Sequence, residues 1–413
     1  MPQFGPWRFK TCAWEYICHS ELLHMKFTVF LFVVLVLSVT SCSTGVELNA
    51  PYQSTTVVFG LVNPDFNGDN LINALDTQWI KINRTFLGEG NNNDYAAVRD
   101  SSEYHEDDFI RKVVQRMNDG EVVEEYPLIS KVVSNKDVNG IFYGPEQTLY
   151  YFVPPAGGLN QSSEYKILLR FVDGREVSGT TNLVDFATFS WQSPQENATI
   201  LMANPGSDGN VLYVDPVSVR WYPAKNASLY DVILRFHYTE LIYDNTGWIG
   251  EPVSTTVKSL DYSLGTVVPQ SITSSEALKV EFDGEGFYSF IRNSIPVNAF
   301  AKRIIGNYDA IQQRTECFDV LLTIGNEELA SYIEVNSPST TIVQERPTYT
   351  NINNGLGLFA SRGARKVQNI RLVGVNQTTG TPNQGNLKAF FVSGSTAELN
   401  FCDPNPTSDY SCE

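Results

Sequence analysis

The chain has 413 residues, 42% of them apolar and 18% charged, enough apolar material for packed cores and against wholesale disorder. Lys and Arg number 29 against 46 Asp and Glu, and the resulting net charge of -17 repels phosphate backbones and argues against nucleic-acid binding. The length allows two or three domains, and an aromatic content of 12% with frequent Val, Ile and Thr favours pleated strands over helices.

Residues 1–24 read as an upstream extension with no part in the fold. Residues 25–41 read as a signal peptide: Lys26 precedes the apolar run Phe27–Leu37, which is too short to span a bilayer, and small residues follow it. The sequence Val39-Thr40-Ser41-Cys42 then resembles the lipobox of bacterial lipoproteins, in which the cysteine thiol takes a diacylglycerol as a thioether and becomes the first mature residue. Residues 42–51 form a polar tether. Cleavage would leave Cys317, Cys402 and Cys412 besides the lipidated Cys42. Outside the inner membrane disulfides are permitted, so Cys402 and Cys412 are expected to close a small C-terminal loop, with Cys317 a lone core cysteine.

Residues 52–189 are expected to form an N-terminal β-sandwich. Apolar/polar alternation marks strands at 55–62, 78–86, 148–153 and 165–172, and Asp173-Gly174 marks a hairpin. Between the first two, Asp65, Asn67, Asp69, Asn73 and Asp76 occupy positions 1, 3, 5, 9 and 12 of a loop with the oxygen-ligand spacing of a calcium site, similar to a single dockerin loop. Asn70 replaces the usual Gly, Asp76 the usual Glu, and the flanks read as strands. The alternative is a polar hairpin loop.

Residues 190–413 are expected to form a second β unit with insertions. Val217–Trp221, a polar break, and Tyr230–Tyr238 resemble a fibronectin-III-type sandwich, in which a buried Trp faces a Tyr-x-Val-x-Leu strand. Further strands are expected at 253–260, 278–282, 317–324, 332–335 and 389–392, with one helix near 286–292 limited by Pro296. Gly355-Leu-Gly357-Leu-Phe-Ala360 has the letters of a dinucleotide fingerprint but no βαβ context, and reads as a turn. The fold class is therefore mainly β: two Ig-like or fibronectin-III-like sandwich units with a few short helices.

The signal cysteine, the opening TTVVFGLVN and QWIKINRTFLGEG, the block SVRW with YDVILRFHY, and the late PSTTIVQERPTYTNINNGLGLFASR together resemble a family of Bacteroidota cell-envelope lipoproteins with a domain of unknown function. Members are often encoded beside TonB-dependent receptors. The resemblance covers most of residues 42–375. It implies an outer-membrane lipoprotein, anchored through its N-terminal lipid, that acts as a non-catalytic binding or accessory component, with a TonB-dependent receptor as partner. Which membrane face it occupies stays open.

Other readings rest on single residues. Trp248, in the loop YDNTGWIGEP, is a candidate binding aromatic, and would make the protein a glycan-binding module if exposed. Trp79, Trp191 and Trp221 lie in or beside strand patterns and are expected in the core. No H-E-x-x-H, G-x-S-x-G or Walker A sequence occurs, so no catalytic residue is assigned. An envelope hydrolase using carboxylates is the third reading. His105 and His237 read as surface or packing residues, and Glu124/Glu125 and Glu327/Glu328 as solvated faces.

Overall fold

A computed structural model describes residues 54–64, 77–86, 92–155, 157–207, 210–269, 276–311, 314–337, 348–375, 382–392 and 396–412. Cys42 and the whole Asp65–Asp76 loop lie outside the described residues. The fold is mainly β and sandwich-like, as the composition implied.

The first lobe begins with β1 (Thr56–Val62), β2 (Gln78–Arg84), β3 (Phe109–Asn118) and β4 (Glu121–Pro127). It continues with β5 (Ile129–Ser134), β6 (Glu146–Phe152), β7 (Glu164–Phe171) and β8 (Glu176–Asn182). β1, β2, β6 and β5 form one sheet, and β8, β7, β3 and β4 the other. Alternate side chains meet between them: Val58, Ile80, Ile82, Tyr150 and Phe152 face Val114, Tyr165, Ile167 and Leu169. Gly174, at a φ of 87°, turns β7 into β8 as the Asp-Gly pair implied.

The second lobe contains β9 (Ser190–Ser193), β10 (Ala203–Pro205), β11 (Val211–Tyr213) and β12 (Val217–Tyr222). Then come β13 (Leu229–Ile242), β14 (Ser254–Val267), β15 (Leu278–Phe282), β16 (Ala301–Ile305), β17 (Asn307–Asp309) and β18 (Arg314–Gly325). β13 pairs along one edge with β14, and along the other with β18 and then β16. β15, β12 and β9 form a small opposing sheet. Trp221 of β12 is fully buried against Tyr230 of β13, ring centroids 5.4 Å apart, and Val232 and Leu234 follow on the same buried face. The Trp and Tyr-x-Val-x-Leu pairing expected from the sequence is present. The expected helix is present as Gly284–Ser294, started by Asp283, whose carboxylate accepts from the Glu285 and Gly286 amides.

Two expected strands are not strands: one is a helix, and the other is the turn that ends one. Residues 332–335 belong to the helix Glu327–Asn336, because Asn326 caps it through the Leu329 amide and Leu329, Tyr332 and Ile333 share one face at helical spacing. The four-residue β-like window was too short to show that period. The segment expected as a strand at 389–392 instead follows directly on the helix Gly385–Ala389, where Asn383 accepts the Gly385 amide.

The remaining strands are β19 (Ile352–Asn353), β20 (Gly355–Arg371), β21 (Gly374–Val375), β22 (Pro382–Asn383) and β23 (Phe401–Cys402). The expected turn at Gly355–Ala360 is therefore the start of a strand of 17 residues. Its first part runs parallel to β1 from Thr56↔Gly355 to Val62↔Ser361, and its second part runs antiparallel to β18. β19 pairs with β8. Residues far beyond position 189 thus complete both sheets of the first lobe. Gly357 does adopt the positive φ expected of it, 110°, but inside the strand: a Cβ there would lie 2.0 Å from the Val58 carbonyl oxygen.

Candidate functional site

Among the described residues, two concavities outside the cores bear on function. The larger, a groove of 620 Å³, starts from an unusual pattern in β1 and β2. Their inward residues build the core, yet their outward residues Phe59, Leu61 and Trp79 are apolar too. Phe59 is 42% exposed and Trp79 40% exposed. The helix Glu327–Asn336 covers part of this outer face: Leu329 packs on Leu358 and Ala360 of β20, and the Tyr332 ring meets Phe59 edge-on at 6.0 Å. Ile333 and Leu149 extend the apolar lining. Trp79 is braced by Tyr151 at 5.1 Å.

The polar lining groups of the groove are engaged. Gln78 accepts the Asn63 amide at 2.7 Å. Lys81 donates to the Thr148 carbonyl at 3.0 Å and pairs with Glu103 at 3.4 Å. Burial lowers the Lys81 pKa, and Glu103 only partly offsets it. Burial by itself would raise the Glu103 carboxyl, but hydrogen bonds from the Thr148 hydroxyl, Arg99 and the Thr148 amide hold it below the usual range. The charged residue lining the groove is thus neutralised by a buried carboxylate.

The smaller cavity, 180 Å³, sits where β16 and β18 part from β13. Asp319 Oδ2 lies 2.8 Å from His237 Nε2 and 2.9 Å from Lys366 Nζ. Burial pushes this carboxyl up, but the bonds to His237 and Lys366 outweigh it and keep it below the usual carboxylate range. The Asp319 carboxylate thereby fixes the orientation of the His237 ring through Nε2. Cys317 lines the same cavity, but burial pushes its thiol pKa well up, away from thiolate chemistry. The arrangement orients an imidazole at the mouth of a small polar cavity. The sequence read His237 as a surface or packing residue, and its partner Asp319 is 82 positions away.

The other expected site residues are placed as follows. Cys402 and Cys412 form the expected disulfide. Trp248 is half-buried, not exposed, and its indole N–H donates to the Ala299 carbonyl at 3.1 Å, while its neighbour Ile249 stands out in solvent. Trp79 is the reverse correction: expected in the core, it faces outward, because Gln78, Ile80 and Ile82 take the inward positions of β2. Glu328 is half-buried rather than solvated, and burial with Glu327 and Glu164 nearby raises its pKa. His105 is exposed near Asp100. The sequence analysis missed the groove; apolar residues on both faces of β1, with Phe59 and Leu61 on the second, were a signal that could have found it.

Fold and site define a two-lobed β-sandwich protein with one shared strand and an open apolar groove on the outer face of its first sheet. No protein-family model matches the chain, and a comparison with curated proteins finds no relative.

Proposed function

We propose that the protein is a lipid-anchored component of the bacterial outer membrane that binds rather than catalyses, with a TonB-dependent receptor as its partner. The observation that carries this reading is the N-terminal order of Lys26, the apolar run Phe27–Leu37, and Val39-Thr40-Ser41-Cys42. A rigid β scaffold carrying an open groove suits a binding role. The glycan reading through Trp248 loses support, since that ring is tied to its own lobe.

The test is mass spectrometry of the mature N-terminus, together with a detergent pull-down through a C-terminal tag. The expected result is a diacylglyceryl thioether on Cys42, release of Cys42→Ala protein from the membrane, and a β-barrel receptor co-purifying with the lipidated form. An unmodified Cys42 in membrane-associated protein would overturn the anchor; a clean preparation without a barrel would overturn the partner.

A further inference from the structure

We propose that the small cavity at His237, Asp319 and Lys366 binds a short carboxylate anion. The site is built by β13, β17, β18 and the second part of β20, and rests on nothing in the N-terminal segment.

The cavity is a constructed site. The Asp319 side chain is 8% exposed, and its Oδ2 holds His237 Nε2 at 2.8 Å and Lys366 Nζ at 2.9 Å. One buried carboxylate thus fixes two groups of the lining that arrive on different strands. Lys366 spends one of its three donors there. His237 spends one ring nitrogen, and Nδ1 has no partner among the described residues. Around them stand the side-chain amides of Asn307, Gln368 and Asn369, which also have no partner among the described residues. Irregular backbone brings them there. β18 and β20 slip register twice between Glu316 and Val320, and Asn369 adopts a φ of 60° within the slip. Gly306, at a φ of 54°, turns β16 into β17, and its amide donates to the His237 carbonyl at 3.0 Å. Bulges and left-handed residues re-aim side chains and concentrate at binding sites.

The chemistry of the lining selects the ligand. A hydrocarbon would strand an ammonium, an imidazole nitrogen and three amides without partners. A metal ion lacks a ligand set: among the described residues no three His, Cys, Asp or Glu are grouped to hold one, and Lys366 already sits on Asp319. A sugar lacks a stacking face, because the aromatics of the lining, Tyr238 and Phe318, are buried in the core. A phosphate dianion would need more than one ammonium already shared with Asp319. The second carboxylate of the lining, Glu316, is tied to Arg314 Nε at 3.0 Å and leaves Lys366 to the ligand. A single-charged, planar carboxylate matches what remains: a charge-assisted bond from Lys366 and neutral N–H donors from the amides. The 180 Å³ equals the space of about six waters at roughly 30 Å³ each, which sets the ligand at about six non-hydrogen atoms.

The test is isothermal titration calorimetry of the purified full-length protein with acetate, L-lactate and succinate, and with inorganic phosphate and glucose for comparison. The expected result is saturable binding of a carboxylate at one molecule per protein. Lys366→Gln should weaken it by roughly tenfold or more, the scale of one charged hydrogen bond, and Gln368→Ala by about threefold. Lys131→Gln, in the first lobe, should leave it unchanged. Should Lys366→Gln lower the melting temperature, Gln368→Ala decides, since that side chain is exposed and outside the core. No saturable binding of any carboxylate, or binding indifferent to both cavity substitutions, would overturn the proposal. Phosphate or glucose bound more tightly than every carboxylate would overturn the assigned ligand class. The result at Cys42 leaves this site untouched, so the anchoring reading and the cavity stand or fall separately.

Discussion

At the residue scale one deeply buried cation is fully paired. Arg303 is 1% exposed. It donates to Glu240 at 2.9 Å, to the Leu399 carbonyl at 2.6 Å and to the Pro296 carbonyl at 3.2 Å, so one guanidinium joins β13 to the C-terminal segment. Lys258 also bonds Glu240. Removing one partner of such a pair leaves the other uncompensated, so Glu240→Gln should cost about 3–5 kcal/mol in urea denaturation. The same group sets a pH response. Burial would raise the Glu240 carboxyl, but Lys258 and Arg303 outweigh it and hold it low; Asp319 and Glu103 are also held low. Carboxyls depressed in the folded state contribute stability that is fully present above their unfolded values, near 4, and lost as pH falls through the folded ones. The melting temperature should therefore change little through these groups from pH 7 to about 5 and fall steeply below 4, and Glu240→Gln should show a shallower fall. A fall of equal steepness in the variant would remove Glu240 as a source.

At the scale of elements, the outcome turned on what a short window can reveal. β13 was legible because Val232, Leu234, Phe236 and Tyr238 alternate inward over a long run. The helix Glu327–Asn336 was not, since Tyr332–Val335 carries β-favouring residues and its cap lies six positions earlier, at Asn326. β20 was misread for a related reason: its glycines suggested a turn, yet they serve close approach of two strands. Gly357→Ala would combine a forbidden φ with a Cβ 2.0 Å from the Val58 oxygen. It should destabilise the protein by more than about 2 kcal/mol and loosen amide protection in β1 and β20 together, read by hydrogen exchange. Protection lost in β20 with β1 untouched would contradict the pairing argument.

At the scale of the molecule, the shared strand makes the two lobes dependent on each other. Residues 54–189 lack the strand that runs beside β1 and the β19 edge on β8. That fragment alone should give no cooperative melt, whereas residues 54–413 should melt in a single calorimetric transition. Two separated transitions in the longer chain would show that β20 does not couple the lobes. The sequence by itself determined the β class, the alternating core strands, the Trp221–Tyr230 contact, the disulfide partners and the helix started by Asp283, because each is a local period or a short-range chemical signature. Only the tertiary structure decided which face of β1 and β2 stayed uncovered, that His237 meets Asp319 and Lys366, and that β20 belongs to both lobes. Those depend on which strands pair across nearly 300 positions of chain, and pairing between distant segments leaves no period in either one.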